Sequence, residues 1–376
     1  KQYNFGNALL QKGQYSECLK PFEIAIALNP GYVDALCNYA SALQAIGQTE
    51  RAVKCLQEAI SVDPLSPDLH WNLSLAAIQN GEMEKGWKEY EWRWEMPTFA
   101  SFKRDFKEPQ WNGESLEGRT ILLHTEQGFG DNIQFCRYIP MVAECRGKVV
   151  LECRPELEKL FRGLTGVEKT ISLGDPYPDF DVHLPLMSLP HVFRSNLQNL
   201  PAEIPYLKVP NGCAGDPRIE ATQGLKVGIT WSGSPTRFDN HTRSLELSKL
   251  EPIFEVEGAN FFSLQVGEAR DELISYCPNS VIDVAAGLRD FSDTAAVIEQ
   301  LDLVISVDTS VLHLAGALGI PVWGMLSKPT GFLWMNERSD SPWYPTMRLF
   351  RQPEFGDWGS LIQEVRAALV ETYLII

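Results

Sequence analysis

Residues 303–321 read LVISVDTSVLHLAGALGIP, and they show the fold class of the chain most clearly. The stretch starts with a short apolar run, continues through the polar turn DTS, and then follows an apolar helical pattern that stops at a glycine. Apolar strands that alternate with helices are typical of a parallel sheet that is covered on both faces. The stretch therefore predicts a strand over 303–307, a helix over 311–318 and a further strand that is entered through Pro321.

The same alternation extends upstream of this stretch, and an earlier series of strands and helices precedes it. The second series is predicted to hold strands at 227–231, 261–265, 281–284, 303–307 and 321–326, with helices at 247–254, 293–301 and 311–318. The first series is predicted to hold strands at 119–124, 148–153, 170–173 and 181–186, with a helix at 132–145. Proline and glycine become frequent over 201–217, which marks a boundary. Two α/β lobes are therefore predicted, with ligands bound at the carboxyl ends of their strands.

The first hundred residues repeat with a period of 34. Gly13, Gly47 and Gly81 are spaced by 34 residues, and so are Pro30 and Pro64. Each unit reads as a helix, a glycine turn, a second helix and an Asn-Pro or Asp-Pro pair, which is the tetratricopeptide signature. The third unit departs from the pattern and is expected to cap the array. Such arrays bind a peptide or a protein on their concave surface. A structural spacer or a dimerisation element is the alternative.

Composition excludes some classes of function. The chain has 376 residues, of which 44% are hydrophobic, and its formal net charge is -16. This charge argues against binding to nucleic acid or to an anionic membrane, because such surfaces need an excess of cations. A small ligand that carries phosphate stays compatible, since helix N-termini and one or two arginines hold it locally. No signal peptide and no apolar run of about 18 residues is evident, so a cytoplasmic protein without a membrane span is expected.

Eight cysteines are spread over the chain without a C-x-x-C pair. They occupy positions 18, 37, 55, 136, 145, 153, 213 and 277. Most lie in apolar periodic segments, where cysteine acts as a small buried hydrophobe. The sequence therefore predicts reduced thiols and no zinc site.

The polar turn of the opening stretch is the best candidate for a diphosphate site. Asp308, Thr309 and Ser310 follow a strand and start a helix, where unpaired N–H groups and the helix dipole favour an anion. A helix cap explains one polar residue at this place but not three, followed by His313 one turn later. We expect the anion site. His313 taken alone is equally well explained as a core residue.

A glycine loop, Gly128-Phe129-Gly130-Asp131, follows the first strand of the first series. Ile133 occupies the place of the third glycine of the dinucleotide-binding fingerprint, which disfavours a nucleotide-dependent oxidoreductase. Asp131 stands in the first turn of a helix, where it can accept a proton from an attacking hydroxyl. Complementing the positive helix end with a carboxylate explains the residue equally well.

Polar residues also follow the strand at 227–231. Ser232, Gly233 and Ser234 close this strand, and Arg237 and Arg243 lie in the loop beyond it. Either arginine can neutralise the charge of a phosphate, although arginine is also common on ordinary surfaces.

Two segments of the second series carry a family resemblance: Trp231-Ser232-Gly233, and DTS-x-x-H-x-AGA-x-G-x-P over 308–321. They are similar to the heptosyltransferase-type family of glycosyltransferases. Members have a two-lobed GT-B fold and an Asp-Thr-Gly/Ser-x-x-His motif in the nucleotide-binding lobe. The Gly-x-Gly-Asp loop of their N-terminal lobe is matched by residues 128–131, and its aspartate is the family's proposed base. The resemblance covers roughly residues 119–350.

The resemblance implies a set of site residues. Asp131 is the implied catalytic base. The implied nucleotide-sugar-binding residues are Ser232, Gly233, Ser234, Arg243, Gln265, Asp308, Thr309, Ser310 and His313. The implied acceptor-side loop contains Gln127, Gly128 and Gly130. Two features depart from the family pattern: Ser310 stands where glycine is frequent, and no lysine follows Trp231, so that Arg243 is expected to substitute for it.

Repeats fused to a GT-B domain also resemble protein-modifying glycosyltransferases, including O-GlcNAc transferase and the bacterial flagellin glycosyltransferases. The expected organisation is tetratricopeptide repeats at 1–97, a linker at 98–118, an acceptor-side lobe at 119–215 and a nucleotide-sugar-binding lobe at 216–376. The resemblance implies inverting transfer, without a metal or another cofactor, to a protein that the repeats recruit. A homo-oligomer formed through the repeats is compatible with this organisation. The alternative is a repeat scaffold with a degenerate domain that binds a nucleotide without turnover.

Overall fold

The computed structural model describes residues 1–237, 239–276 and 280–373, which form two compact units. The first unit contains residues 1–105 together with two later segments, 190–200 and 328–338. The second unit contains the rest of the described chain. This grouping of two later segments with the repeats was not predicted from the sequence.

Six helices form the repeats of the first unit, as the 34-residue period predicts. They are α1 (Gln2–Gln11), α2 (Tyr15–Leu28), α3 (Val33–Ala45), α4 (Thr49–Val62), α5 (Pro67–Gln79) and α6 (Met83–Tyr90). The turn inside each pair needs a left-handed backbone, with φ of +72°, +81° and +85° at Gly13, Gly47 and Gly81. Glycine adopts this conformation without steric cost, which explains its recurrence. Each helix packs on the next, and Phe22, Leu43 and Leu56 are fully buried between them.

The third repeat was expected to cap the array, but in the structure a later segment of the chain packs on it. After α6 the chain continues as a 3₁₀ helix over Glu91–Glu95, in which Arg93 is buried and pairs with Glu91 at 2.7 Å. The segment 328–338 packs on this repeat: Gln79 Nε2 donates to Asn336 Oδ1 at 3.0 Å. The ring of Phe332 lies 6.2 Å from that of Tyr90. The third repeat is therefore covered by another part of the chain and is not a free end.

The first sheet of the second unit is four-stranded and parallel. Its strands are β1 (Thr120–His124), β2 (Lys148–Cys153), β3 (Val167–Ser172) and β4 (Val182–Pro185), in the order β3-β2-β1-β4. Its helices are α7 (Phe129–Phe135), α8 (Ile139–Glu144) and α9 (Pro155–Phe161). The short helix α10 (Leu189–Val192) follows along the chain, and all but its first residue belong to the segment 190–200 of the first unit. The single helix predicted over 132–145 is wrong, since a 3₁₀ turn at Cys136–Tyr138 divides it. Pro140 has no N–H to donate to the preceding turn, so a continuous helix cannot form there.

The second sheet is six-stranded and parallel. Its strands are β5 (Leu225–Thr230), β6 (Ala259–Ser263), β7 (Val281–Asp283), β8 (Leu303–Val307), β9 (Val322–Leu326) and β10 (Met347–Arg351), in the order β10-β9-β8-β5-β6-β7. Its helices are α11 (Pro217–Glu220), α12 (Asn240–Arg243), α13 (Glu251–Phe254), α14 (Asp271–Tyr276), α15 (Phe291–Ile298), α16 (Ser310–Ala317) and α17 (Trp358–Tyr373). The chain leaves β5 and β8 in opposite directions across the sheet. The gap at their carboxyl ends is therefore the topological switch point, where ligands bind in such sheets.

The described cysteines are free thiols, and Cys277 lies outside the described residues. Burial raises the pKa of Cys37 to about 12, so this thiol stays protonated. Over 1–237, 239–276 and 280–373, no helix combines the length and the apolar character needed to cross a membrane. In the same ranges, no group of three or more metal-ligating side chains is found.

Candidate functional site

The predicted anion site lies at the switch point of the second sheet. β5 and β8 are paired with Thr230 opposite Ser306, so the residues that follow both strands leave the sheet together. The hydroxyls of Thr230 and Ser306 are hydrogen-bonded, and Ser306 Oγ lies 3.0 Å from Thr309 Oγ1. A chain of three hydroxyls therefore connects the strand ends to the start of α16.

Among the described residues, the start of α16 receives no side-chain cap: Thr309 is the N-cap residue, and its side chain makes no capping hydrogen bond. At α15, by contrast, the Asp290 carboxylate accepts from the N–H groups of Ser292 and Asp293. The first N–H groups of a helix have no partner within it, and Ser310, the first residue of α16, is partly exposed. This helix end can receive an anion.

Two basic side chains surround the Asp308 carboxylate. Arg243 Nη2 lies 2.6 Å from Asp308 Oδ2 and also donates to the carbonyl oxygen of Asp308. His313 Nε2 lies 3.8 Å from Asp308 Oδ1. Asp308 therefore holds the guanidinium beside the start of α16, where a phosphate would need it. Burial lowers the pKa of His313 to about 4, and the imidazole is neutral at pH 7.

The glycine loop places Asp131 in the first turn of α7. Gln127 adopts a positive φ of +61°, and Arg154 Nη2 donates to its carbonyl oxygen at 2.8 Å. Asp131 Oδ2 accepts from the N–H of Gly128 at 2.9 Å. Among the described residues, none donates a hydrogen bond to Oδ1 of Asp131. One carboxylate oxygen thus holds the helix end, while the other is available to a substrate.

The two loops meet within the second unit, because α7 packs on α16. A methyl group added at Gly130 would lie 2.8 Å from His313 Cδ2, so the Gly130 backbone approaches the His313 ring as closely as glycine permits. Burial raises the pKa of Asp131, and the nearby Asp308 carboxylate raises it further. The Gly128 N–H and the Arg237 and Arg243 guanidiniums oppose the shift. The structure therefore brings the predicted base together with the predicted diphosphate residues.

Gln265 holds the loop after β5. Its Oε1 accepts from the N–H groups of Trp231 at 3.1 Å and Ser232 at 3.0 Å. Its Nε2 donates to the carbonyl oxygens of Ser232 at 3.1 Å and Val266 at 3.0 Å. These four bonds use the whole hydrogen-bonding capacity of an amide side chain. Gln265 therefore shapes the Ser232 loop, and we do not expect it to contact a ligand directly.

The rest of this loop is also tied down. The N–H of Gly233 donates to Ser244 Oγ at 3.0 Å, and Ser234 Oγ lies 2.9 Å from Thr236 Oγ1. Arg237 pairs with Asp239 through two hydrogen bonds. Phe238, which lies between them in the sequence, is outside the described residues.

Three residues around His313 were not predicted from the sequence. Tyr344 OH lies 2.9 Å from His313 Nδ1, Tyr206 OH lies 3.4 Å from Tyr344 OH, and Arg137 Nη2 donates to Tyr206 OH at 3.0 Å. An arginine within the apolar segment that follows the glycine loop is a signal that could have drawn attention to Arg137.

Comparison with known proteins finds a family match in the repeat region and another in the α/β region. Residues 265–329 match the model of glycosyltransferase family 9 (heptosyltransferase), and residues 38–90 match a tetratricopeptide repeat. The first match includes the segment from Asp308 to His313 and leaves out the glycine loop.

One curated relative spans nearly the whole chain. Protein FlbA of Caulobacter vibrioides is 24% identical over 399 residues, which cover 97% of this chain and 66% of FlbA. The chain thus spans slightly less than two thirds of that relative.

Two solved structures are similar to part of the chain. A family 9 glycosyltransferase of Veillonella parvula is 10% identical with a TM-score of 0.46, and covers 69% of this chain and 98% of its own. An ADP-heptose LPS heptosyltransferase II of E. coli is 12% identical with a TM-score of 0.48, and covers 67% and 99%. By sequence, residues 265–329 are thus similar to glycosyltransferase family 9 (heptosyltransferase), and residues 38–90 are similar to a tetratricopeptide repeat.

Proposed function

We propose that the chain transfers a sugar from a nucleotide-sugar donor to a hydroxyl group of a protein acceptor. The observation that carries this proposal is the meeting of two loops: the Asp131 carboxylate and the uncapped start of α16 lie on helices that pack together. Sugar transfer from a diphosphate requires a base and an anion site near each other, and the contact between α7 and α16 supports this arrangement.

The proposed reaction is a single displacement. Asp131 takes the proton of the acceptor hydroxyl, and the acceptor oxygen forms a bond to the anomeric carbon of the sugar. The acceptor oxygen attacks the face of this carbon that lies opposite the phosphate. The bond between the carbon and the phosphate oxygen breaks at the same time, so the anomeric configuration inverts. The nucleoside diphosphate leaves with the bonding electron pair. Free N–H groups of α16 and the Arg243 guanidinium stabilise its negative charge, and this mechanism needs no metal ion.

Replacing Ser310 with Glu should lower the affinity for the nucleoside diphosphate at least about tenfold, which corresponds to about 1.4 kcal/mol. The new carboxylate would stand where the β-phosphate is expected and would repel it. A carboxylate in the first turn is favourable to the helix itself, so the fold should survive. Calorimetric titration with the diphosphate and with the matching nucleoside checks this, because the nucleoside should bind nearly as before. If the affinity for the diphosphate were unchanged, the phosphate would not bind at the start of α16, and its site would be assigned to the Ser232–Ser234 loop.

Removing residues 1–31 should reduce transfer to the protein acceptor at least about tenfold and leave binding of the nucleoside diphosphate unchanged. These residues form α1 and α2, which pack on α3, and repeat arrays lose stability and binding surface repeat by repeat. A larger deletion of all three repeats would also uncover the buried Trp334 side chain, which belongs to the segment 328–338. Incorporation of labelled sugar into proteins of a cell extract measures the effect. Full incorporation by the shortened chain would favour the spacer interpretation.

A non-catalytic scaffold is the second candidate function. It is favoured by the bond from the Gly128 N–H to Asp131, since a carboxylate that only caps α7 would make the same contact. The two candidates differ in what Asp131 does for turnover: the enzyme needs its carboxylate as a base, and the scaffold needs it only as a helix cap.

A further inference from the structure

Arg137 is a buried cation without a carboxylate partner among the residues that the structure describes. Only 3% of this residue is exposed, and it takes part in no ion pair there. Removing a charge from water costs several kcal/mol unless hydrogen bonds or opposite charges compensate it. A buried unpaired arginine therefore calls for a role that an apolar residue could not perform.

Carbonyl oxygens and aromatic rings compensate the charge. Arg137 donates to the carbonyl oxygens of Gln134 at 2.9 Å, Pro201 at 3.3 Å and Trp343 at 2.5 Å. Its guanidinium lies 4.5 Å from the ring centre of Tyr206 and 4.6 Å from that of Tyr344. Arg137 thus joins three separate segments of the chain and holds both tyrosine rings in place.

The hydrogen bonds define the direction of the tyrosine protons. Tyr206 OH donates to the carbonyl oxygen of Ile133 at 2.9 Å and accepts from Arg137 Nη2 at 3.0 Å. Its single proton is therefore used. Tyr344 OH lies 3.4 Å from the Tyr206 oxygen but only 2.9 Å from His313 Nδ1. The nearer and more basic acceptor is Nδ1, so Tyr344 donates to His313.

We propose that Arg137, Tyr206 and Tyr344 form a positioning network in which Tyr344, packed against the other two, holds His313 in the tautomer protonated at Nε2. When Nδ1 accepts from Tyr344, the ring proton must reside on Nε2. Nε2 faces Asp308 Oδ1 at 3.8 Å and lies beside Gly130, so its N–H is presented where the two loops meet. His313 is then a hydrogen-bond donor to the leaving diphosphate. The network has no contact with substrate and acts through His313.

This role rests on the proposed transfer reaction, but the tautomer does not depend on it. The direct test is ¹⁵N NMR of the full chain with labelled histidine at pH 7, with the His313 signals assigned by comparison with His313→Gln. The neutral tautomers differ in which ring nitrogen carries the proton, and ¹⁵N shifts separate them. We expect wild-type His313 to be protonated at Nε2. Protonation at Nδ1 would overturn the proposal even if the chain transfers no sugar.

Tyr344→Phe removes the donor to Nδ1 and should convert His313 to a mixture of tautomers. It should also lower kcat about tenfold while the Kd of the nucleoside diphosphate changes less than about threefold, since a positioning effect is expressed in the transition state. Tyr206→Phe leaves the Tyr344 donor in place and should keep the tautomer. Tyr373→Phe, at the C-terminal end of α17, is the matched control and should change neither the tautomer nor kcat. An unchanged tautomer in Tyr344→Phe would overturn the proposal.

Discussion

Asp131→Asn is expected to reduce sugar transfer by on the order of 10²–10⁴ while leaving binding of the nucleoside diphosphate intact, because this range is what a general base contributes. The asparagine amide is nearly isosteric with the carboxylate. In the wild type the Gly128 N–H donates to Asp131 Oδ2 at 2.9 Å, and the amide oxygen can accept the same hydrogen bond. The start of α7 should therefore persist. The oxygen that takes the proton is lost as a base, and the transfer step therefore slows.

The pH dependence of the wild-type rate provides a second readout of the same residue. Burial and the Asp308 carboxylate raise the pKa of Asp131 above its ordinary value. A base works only when it is ionised, so kcat/KM should fall as the pH is lowered through a pKa above the ordinary aspartate value of about 4. This acidic limb should disappear from the residual activity of Asp131→Asn.

Asp293→Asn is the matched control, since Asp293 is also an aspartate in the first turn of a helix, α15, and pairs with Arg289. Its transfer rate should equal that of the wild type. If the transfer rate of Asp131→Asn stayed within a few-fold of the wild-type rate, Asp131 would serve only as a charge at the helix end. That result would favour the non-catalytic scaffold.

Gly130→Ala is expected to reduce transfer by on the order of 10², because a displacement of about 1 Å at reacting groups costs that much. The added methyl group would lie 2.8 Å from His313 Cδ2. His313 is 5% exposed and bonded to Tyr344, so it cannot yield, and the loop that carries Asp131 has to move. Alanine favours the helix more than glycine does, and the fold should not suffer.

Steady-state kinetics of Gly130→Ala and of Gly163→Ala checks this prediction. An added methyl group at Gly163 meets no atom within 4 Å, so this control should behave as the wild type. Equal rates for the two variants would show that the close approach of the loops does not matter for transfer.

The parts of the fold that depend on local pattern were predictable. Strand β8 was predicted with its observed bounds, because a run of apolar residues between a loop and a polar turn is visible in the sequence alone. The strand Met347–Arg351 was not predicted. It lies at the edge of the sheet and includes the exposed Arg348, so its apolar signal is weak. Helix α17 was also missed, although Leu361, Val365 and Leu369 recur every four residues.

The site was predictable only where a motif is continuous in sequence. Asp308 and His313 lie within one such motif. Arg137, Tyr206 and Tyr344 are separated by 69 and 138 residues, and only the folded chain brings them together. The same reason explains Gln265: a strand-end glutamine resembles a ligand contact until its bonds to the neighbouring loop, 33 and 34 residues away, are seen.

A nucleoside diphosphate is expected to bind at the start of α16, and a thermal-shift panel of the full chain decides whether it does. The panel contains UDP, GDP, ADP, CMP and dTDP, with NAD as the ligand of a rival oxidoreductase. A diphosphate present at 100 times its Kd stabilises the fold by about 2.7 kcal/mol, which raises the melting temperature measurably. We expect at least one diphosphate to raise the melting temperature of the wild type, and to raise that of Ser310→Glu clearly less. A rise with NAD alone, or no rise with any diphosphate, would contradict this expectation.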